Sequence, residues 1–465
     1  MGFNYFVAVA ANRLMLFVLV LALSYLLDPA QFGVYSLAAA NALTVQIVAG
    51  SWISSAAYKF LTTEDEQRLR DIGATMLWFV IVAVAAILAS FLALYFLLGH
   101  SPNHVLFGMT AAWSVMLLFY DVSLASLNAR GKSGIYTSIS LTRSVMVTIL
   151  SLALVMAGLG VGGAILGQII GTVLPFLFRR DLLLSLASLR PRLVSSTRPM
   201  AMVLFGFVGA QALGHYMLIH GVARNVVFSE LGAASTGAYS LTIDLFYAPL
   251  ALVGTAYSLA QMRALNQTAA DPAKTGLKQK ISDHVQFNLA LVLPYALAGP
   301  LLAPDLVAFV AAPAIKAEMM AIAGAATVQA SFMLLFAAMT TLLLIFERKA
   351  VLVAVCGLTI AANALAIYWV APTGLAAVAD ASTGILAVMT VLICLVVWRN
   401  GLLFVRAEQL VRIALSAAAT AVLVCAVLAT KVPGAVVIAT LLGGGLYLAL
   451  VVRMSLIDLS LFSRQ

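Results

Sequence analysis

The sequence predicts an all-α polytopic membrane protein of about fourteen transmembrane helices, built as two related six-helix lobes plus two extra C-terminal helices. Three observations carry this. Of 465 residues, 63% are apolar and only 9% charged, with a mean hydropathy of +1.08. A soluble chain of that length has too little interior to hide so much apolar surface, so lipid must be its solvent. In lipid the backbone must be helical or a closed barrel, and these apolar runs are long and continuous rather than alternating segments of about ten residues. The third observation is an internal repeat. Gly33-x-Tyr35-Ser36-Leu37 returns as Gly237-x-Tyr239-Ser240-Leu241, 204 residues on, and the same offset carries Lys59 onto Arg263.

Fourteen candidate spans run at roughly 4–27, 32–60, 72–98, 104–128, 133–157, 161–187, 199–224, 234–264, 282–303, 316–346, 349–370, 374–398, 408–430 and 434–454. Each reaches the ~20 residues that cross a hydrocarbon core. The first leads straight into further spans without a small-residue cleavage site and reads as a retained helix. Turn chemistry marks the breaks: Asp28-Pro29, Ser101-Pro102-Asn103, Gly131-Lys132-Ser133, Gly160-Val161-Gly162, Ala371-Pro372-Thr373-Gly374 and Pro433-Gly434. Cys356, Cys394 and Cys425 all sit inside apolar runs, as small packing residues with no disulfide framework.

Charge sets the orientation. With the N-terminus inside, 21 of the 26 Lys and Arg fall in inner loops and three, Arg224, Lys316 and Lys431, fall outside. That bias argues for an even number of spans with both ends cytoplasmic. It also accounts for the net charge of +9 without a nucleic-acid partner.

The five arginines and Pro191 of residues 178–199 mark the joint between halves. We assign residues 1–187 to an N-lobe of spans 1–6, 188–198 to a cytoplasmic linker, and 199–400 to a C-lobe of spans 7–12. Residues 401–465 then hold the appended spans 13 and 14 and a short tail. Two further echoes keep this order. Leu117-Leu118-Phe119 parallels Leu334-Leu335-Phe336, and Gly160-x-x-Gly163-Ala164 parallels Gly374-x-x-Ala377-Val378. Halves with an even number of spans share one topology, so the repeat is parallel, and such halves frame transport pathways.

Leu26-Leu27-Asp28-Pro29-x-x-Phe32-Gly33-x-Tyr35-Ser36 resembles the N-terminal signature of polysaccharide-biosynthesis transporters. These are the O-antigen-type (Wzx-like) lipid-linked oligosaccharide flippases of the multidrug/oligosaccharidyl-lipid/polysaccharide exporter superfamily. The Leu127-Asn128-Ala129-Arg130-Gly131-Lys132 turn is similar to that family's Gly-basic loop. The resemblance covers spans 1–12 in layout, while spans 13 and 14 resemble the fourteen-span lipid II flippase members. It implies two six-helix bundles around a central cavity, alternating between inward- and outward-open forms. A polyprenyl-diphosphate-linked oligosaccharide, the O-antigen or exopolysaccharide repeat unit, would cross the bacterial cytoplasmic membrane between them. It implies no catalysis and no cofactor. Expected partners are that substrate, membrane lipids and other polysaccharide-assembly membrane proteins.

Charges inside spans are costly and so mark function. Five qualify: Arg13, Asp121, Arg143, Asp244 and Asp380. Counting ~1.5 Å per residue from the nearest loop sets Arg13 and Asp121 in the inner half, Arg143 near the midplane, and Asp244 and Asp380 in the outer half. Arg13, beside Asn12, is a candidate for the substrate's diphosphate, because a guanidinium offers paired donors to phosphate oxygens. The competing reading is a helix-packing arginine bonded to carbonyls or to Asp121. Arg143 and Asp121 lie on consecutive spans, so they either form an ion pair or leave Arg143 to line the cavity with Arg13.

Asn41, Thr44, Ser51, Ser55 and Lys59 share one face of span two, as a cavity wall or a packing face. Arg263 would mirror Lys59 at the inner mouth; positive-inside anchoring is the alternative for both. Asp244, sharing a face with Ser240 and Tyr247, and Asp380, near Ser382 and Thr383, are candidates for coupling to a Na⁺ or H⁺ gradient. No metal site is expected: His215 and His220 are five residues apart and do not share a face. Gly163-x-x-x-Gly167-x-x-x-Gly171 is a close-packing face. Gly158-x-Gly160-x-Gly162-Gly163 lacks the strand-then-helix setting of a dinucleotide loop.

Three function classes remain: a flippase for an anionic lipid-linked glycan, a drug or metabolite antiporter of the same superfamily, and a membrane glycan-processing enzyme. An antiporter for cations needs an acidic cavity, yet the first lobe offers Arg13 and Arg143. A glycan-processing enzyme needs a large extramembrane loop. No outer loop here exceeds about 15 residues, and there is no Walker motif.

Overall fold

The computed structural model describes residues 2–61, 65–97, 104–177, 190–270, 276–346, 348–402, 405, 407–432 and 434–453. Among the described residues there are fourteen α-helices and no strand. They are α1 Gly2–Leu26, α2 Pro29–Phe60, α3 Glu66–Leu97, α4 His104–Ala129, α5 Ser133–Leu154, α6 Gly160–Leu177 and α7 Pro199–Leu231. Then come α8 Ala233–Ala270, α9 Leu277–Val310, α10 Lys316–Ile345, α11 Lys349–Val370, α12 Leu375–Arg399, α13 Ala407–Ala429 and α14 Ala435–Arg453. Each expected span falls on one helix, save that residue 98, residues 178–187 of the sixth span and residue 454 lie outside the described residues.

Among the described residues ten stretches are long and apolar enough to cross a membrane as they stand, and one of them, Gly134–Leu177, holds both α5 and α6. α7 is a bent pair, Pro199–Ala210 and Gly214–Leu231, set at 62°. The apolar stretches of α1 and α14, Ala11–Leu26 and Ala435–Val451, are shorter. The chain is a multi-pass membrane protein.

Local chemistry fixes the helix ends. Asp28 caps α2 by accepting from the Gln31 amide at 2.8 Å, and Pro29 stands at the first position, where its missing N–H costs nothing. The α5–α6 turn comes earlier than Gly160–Gly162, as a π-helical turn at Val155–Leu159. It closes through Gly158 at φ 88° and Gly160 at φ 51°, a backbone region that side chains disfavour. The resulting hairpin lays the Gly163–Gly167–Gly171 face on α5. A β-carbon on Gly167 would lie 2.4 Å from Ser151 Cα, and Ser151 Oγ donates to the Ala164 carbonyl at 3.0 Å.

Packing divides the chain into two compact units, Phe3–Asn225 and Val226–Gln465, so the border falls inside α7 rather than in the connector where the repeat divides. The first unit's core gathers Ile53, Phe79, Ile87, Leu118 and Met202. Connector residues 190–198 are strapped to α3. Arg192 pairs with Asp71 at 2.9 Å and its amide donates to the Ala74 carbonyl at 3.3 Å. The Val194 amide donates to Thr75 Oγ1 at 3.2 Å, and the Thr75 and Thr197 hydroxyls meet at 3.2 Å.

In the second unit α10 is central, packing on α8, α9 and α12. It shares one local feature with α4. Ser114 bonds back to the Thr110 carbonyl at 3.0 Å, and Ser331 to the Thr327 carbonyl at 3.0 Å. The appended pair α13–α14 packs on α9. Ile413 and Val451 meet Ala290, Val424 and Ala439 meet Ala298, and the Tyr447 hydroxyl donates to the Ala290 carbonyl.

Candidate functional site

The repeated tyrosine of the first lobe is a fastener. Tyr35 is buried on α2, its ring stacked on Trp113 of α4 at 6.3 Å and its hydroxyl accepting from Gln168 Nε2 of α6 at 3.0 Å. Around this joint the first unit holds a polar core shared by α1, α2, α4, α5 and α6. α1 and α5 meet through Asn12, which accepts from the Ser144 hydroxyl, and through Thr148, which donates to the Met15 carbonyl at 3.4 Å. Both contacts advance together along the two helices, so α1 and α5 run parallel in register. Arg13 and Arg143, each next to a bonded residue, therefore sit at one level. Depth counted from each helix's own loop had separated them.

Arg143 is buried at 6% exposure. Its Nε donates to Thr172 Oγ1 of α6 at 3.1 Å, and its guanidinium carbon lies 4.3 Å from the centre of the Tyr120 ring. The Tyr120 hydroxyl meets Ser140 Oγ at 3.4 Å. Asp121 turns instead toward α2, accepting from Gln46 Nε2 at 2.9 Å. Among the described residues no ion pair joins Arg143 to Asp121, although each lies within the other's electrostatic reach. The cation is thus held by neutral groups and a ring. Arg13 is half-buried.

The polar stripe of α2 faces α7. Asn41 Oδ1 accepts from Asn225 Nδ2 at 2.7 Å. A β-carbon on Gly221 would lie 2.0 Å from Thr44 Oγ1, and one on Gly209 would lie 2.9 Å from Ser55 Cβ. Between them Gly214 meets Ile47, and Gly206 comes so near the backbone that a β-carbon would lie 2.1 Å from the Trp52 carbonyl oxygen. At the end of the stripe the Lys59 ammonium stands 4.2 Å over the Phe205 ring. Ser51 bonds to its own helix, at the Ile47 carbonyl, 2.7 Å away. In this conformation four of the five stripe residues are helix contacts, two of them, Thr44 and Ser55, against glycines of α7.

The second-unit candidates do not converge in this way. Asp244 is half-buried on α8, and Asp380 is exposed on α12. Arg263 lies in α8, but its side chain falls outside the described residues. His215 and His220 are buried on α7, with the His220 ring 4.5 Å from that of Tyr216; among the described residues no cluster of three metal-ligating side chains exists. Gln46, Gln168 and Tyr120 are members of the polar core that a search for charges alone passes over. Two amides inside apolar runs are a usable signal, since each needs a buried partner.

No family model matches the chain, and no curated protein matches it in sequence. Solved structures match its fold. One is the lipid II flippase MurJ in an inward closed conformation, at TM-score 0.73 and 14% identity, covering 96% of this chain and 97% of that one. Another is an inward-facing multidrug resistance MATE family transporter of the MOP superfamily, at TM-score 0.63 and 13% identity, covering 85% and 98%. A third is a MOP superfamily transporter from Pyrococcus furiosus, described as having a binding pocket of reverse polarity, at TM-score 0.61 and 12% identity, covering 85% and 94%. This chain has the fold that the lipid II flippase MurJ and the MATE transporters share.

Proposed function

We propose that the protein is an alternating-access flippase. It moves a polyprenyl-diphosphate-linked oligosaccharide, an O-antigen or exopolysaccharide repeat unit, from the inner to the outer leaflet of the bacterial cytoplasmic membrane. The observation that carries this reading is Arg143. It is a buried guanidinium whose partners are a hydroxyl and an aromatic ring, with Arg13 at its level on the neighbouring helix. A cation kept inside a membrane bundle without a bonded carboxylate retains charge for an anionic ligand, and a diphosphate is the anion that paired guanidinium donors fit best. Coverage of the appended helices supports the same side: MurJ spans 96% of this chain and the MATE transporter 85%. The α2 stripe is then a polar wall that opens to the substrate when α7 leaves it. Lys59 stands at the inner end of that wall, and Arg263 holds the equivalent place in the repeat. Asp244 or Asp380 couples the cycle to Na⁺ or H⁺. No step of the cycle makes or breaks a covalent bond.

The second reading, an ion-coupled drug or metabolite antiporter, is favoured by Asp121, a carboxylate set in the same polar core as Arg143. Mass spectrometry of polyprenyl-linked glycans in cells with and without the gene separates the two, with sidedness scored by an impermeant sugar-modifying reagent. The flippase predicts build-up of one diphosphate-linked glycan on the inner leaflet and loss of the surface polymer. Unchanged glycans on both leaflets would leave the antiporter.

A further inference from the structure

The second unit carries a groove that the transport reading does not use. α13 docks on α9 and α14, whereas α12 docks on α10 and α11. The gap between α12 and α13 is floored by α9 and α10. It forms a cavity of 340 Å³ lined by Leu289, Leu335, Met339, Cys394, Trp398 and Leu410. Trp398 and Leu410 are exposed at its mouth. On α10 and α12 the lining runs four residues, Leu335 to Met339 and Cys394 to Trp398, about 6 Å at ~1.5 Å per residue.

The ends of these same helices are basic. α9 begins with Lys278 and Lys280, α10 runs into Arg348 and Lys349, α12 ends at Arg399, and α13 opens with Arg412. Arg399, Arg348 and Lys278 are exposed, and Arg412 is half-exposed while bonded to Glu408. α9, α12 and α13 thus bring cations to one rim, with Arg348 and Lys349 of the α10–α11 junction at the same end, the side that cation asymmetry assigns to the cytoplasm. Trp398 stands at the level where interfacial aromatic residues collect.

We propose that this groove holds one acyl chain of an anionic glycerophospholipid of the cytoplasmic leaflet, with its headgroup among the rim cations. The occupant follows from size and charge. A helix about 10 Å across does not fit a cavity of 340 Å³. A short run of one acyl chain fits a narrow apolar slot of this length. The rim favours a negative headgroup over a zwitterionic one. The lipid wedges the appended pair α13–α14 against the bundle.

The test uses the full chain in phosphatidylethanolamine nanodiscs containing a small fraction of phosphatidylglycerol with a diazirine on one acyl chain. No transported substrate is needed. After irradiation, adducts on peptides holding Leu289, Leu335 and Cys394 should exceed those at the outward-facing Leu365 and Cys425 at least tenfold. Unlabelled phosphatidylglycerol should compete them away, and further phosphatidylethanolamine should not. Leu335→Trp should remove the groove adducts by filling the slot. Arg399→Gln with Arg412→Gln should keep an acyl chain there but weaken the headgroup preference. Adducts spread evenly over the lipid-facing surface, or equal competition by both lipids, would overturn the proposal. That competition uses the unsubstituted protein, so it decides even if a variant fails to fold.

Discussion

Thr44 Oγ1 stands 2.0 Å from where a β-carbon on Gly221 would lie, so α2 and α7 touch at a point that accommodates only glycine without movement. Gly221→Leu should push α7 off α2 and uncover the stripe. In a background lacking Cys356, Cys394 and Cys425, a Ser51→Cys probe should react with an impermeant maleimide several-fold faster beside Gly221→Leu than beside native Gly221. An unchanged rate would mean that the seam does not cover the stripe.

The buried guanidinium makes a sharper demand. Arg143→Gln should lower transport of the lipid-linked glycan at least tenfold while the protein still inserts and purifies. Arg143→Lys should rescue little of it, since a point ammonium offers neither paired donors nor a plane to lie on Tyr120. Full activity in Arg143→Lys would reduce the residue to a source of charge.

Asp121 and Gln46 form a bonded pair, and the two ways of breaking it should differ. Asp121→Asn keeps an acceptor oxygen for the Gln46 amide and should be nearly silent in thermal unfolding. Asp121→Leu strands that amide and should cost about 1–3 kcal/mol. Equal losses in the two variants would show that charge, not the hydrogen bond, holds this place.

Gly167 faces backbone rather than a flexible side chain: a β-carbon there would lie 2.4 Å from Ser151 Cα. Gly167→Val should therefore split the α5–α6 hairpin, with destabilisation of about 3 kcal/mol or more, read as a lowered midpoint in detergent. By contrast, Gly162→Ala, which meets open space, should be neutral.

If Asp244 carries the coupling ion, Asp244→Asn should render transport insensitive to both a Na⁺ and a pH gradient, and Asp380→Asn should not. The difference in placement motivates the choice: Asp244 is half-buried and Asp380 is exposed. Retained gradient dependence in Asp244→Asn would remove it from the mechanism.

The helices were legible because apolar length in lipid leaves few alternatives, and the Asp28-Pro29 cap could be read directly from its residue types. Register was not. Arg13 and Arg143 share a level only because Asn12 meets Ser144, a contact between helices more than a hundred residues apart in sequence. The stripe on α2 announced a special face, yet its partner is a row of glycines on α7, and glycine advertises nothing by polarity. Charge left open whether Asp121 pairs with Arg143, and geometry gives it to Gln46. Attraction between opposite charges is long-ranged and easy to guess; the shorter reach of an amide donor depends on packing that no single helix encodes.

The strap of residues 190–198 on α3 makes the join between the repeats a splice, not a leash. An ion pair and three hydrogen bonds leave these residues no slack. The foot of α7 is therefore tied to α3, and its shaft holds α2 as far as Asn225.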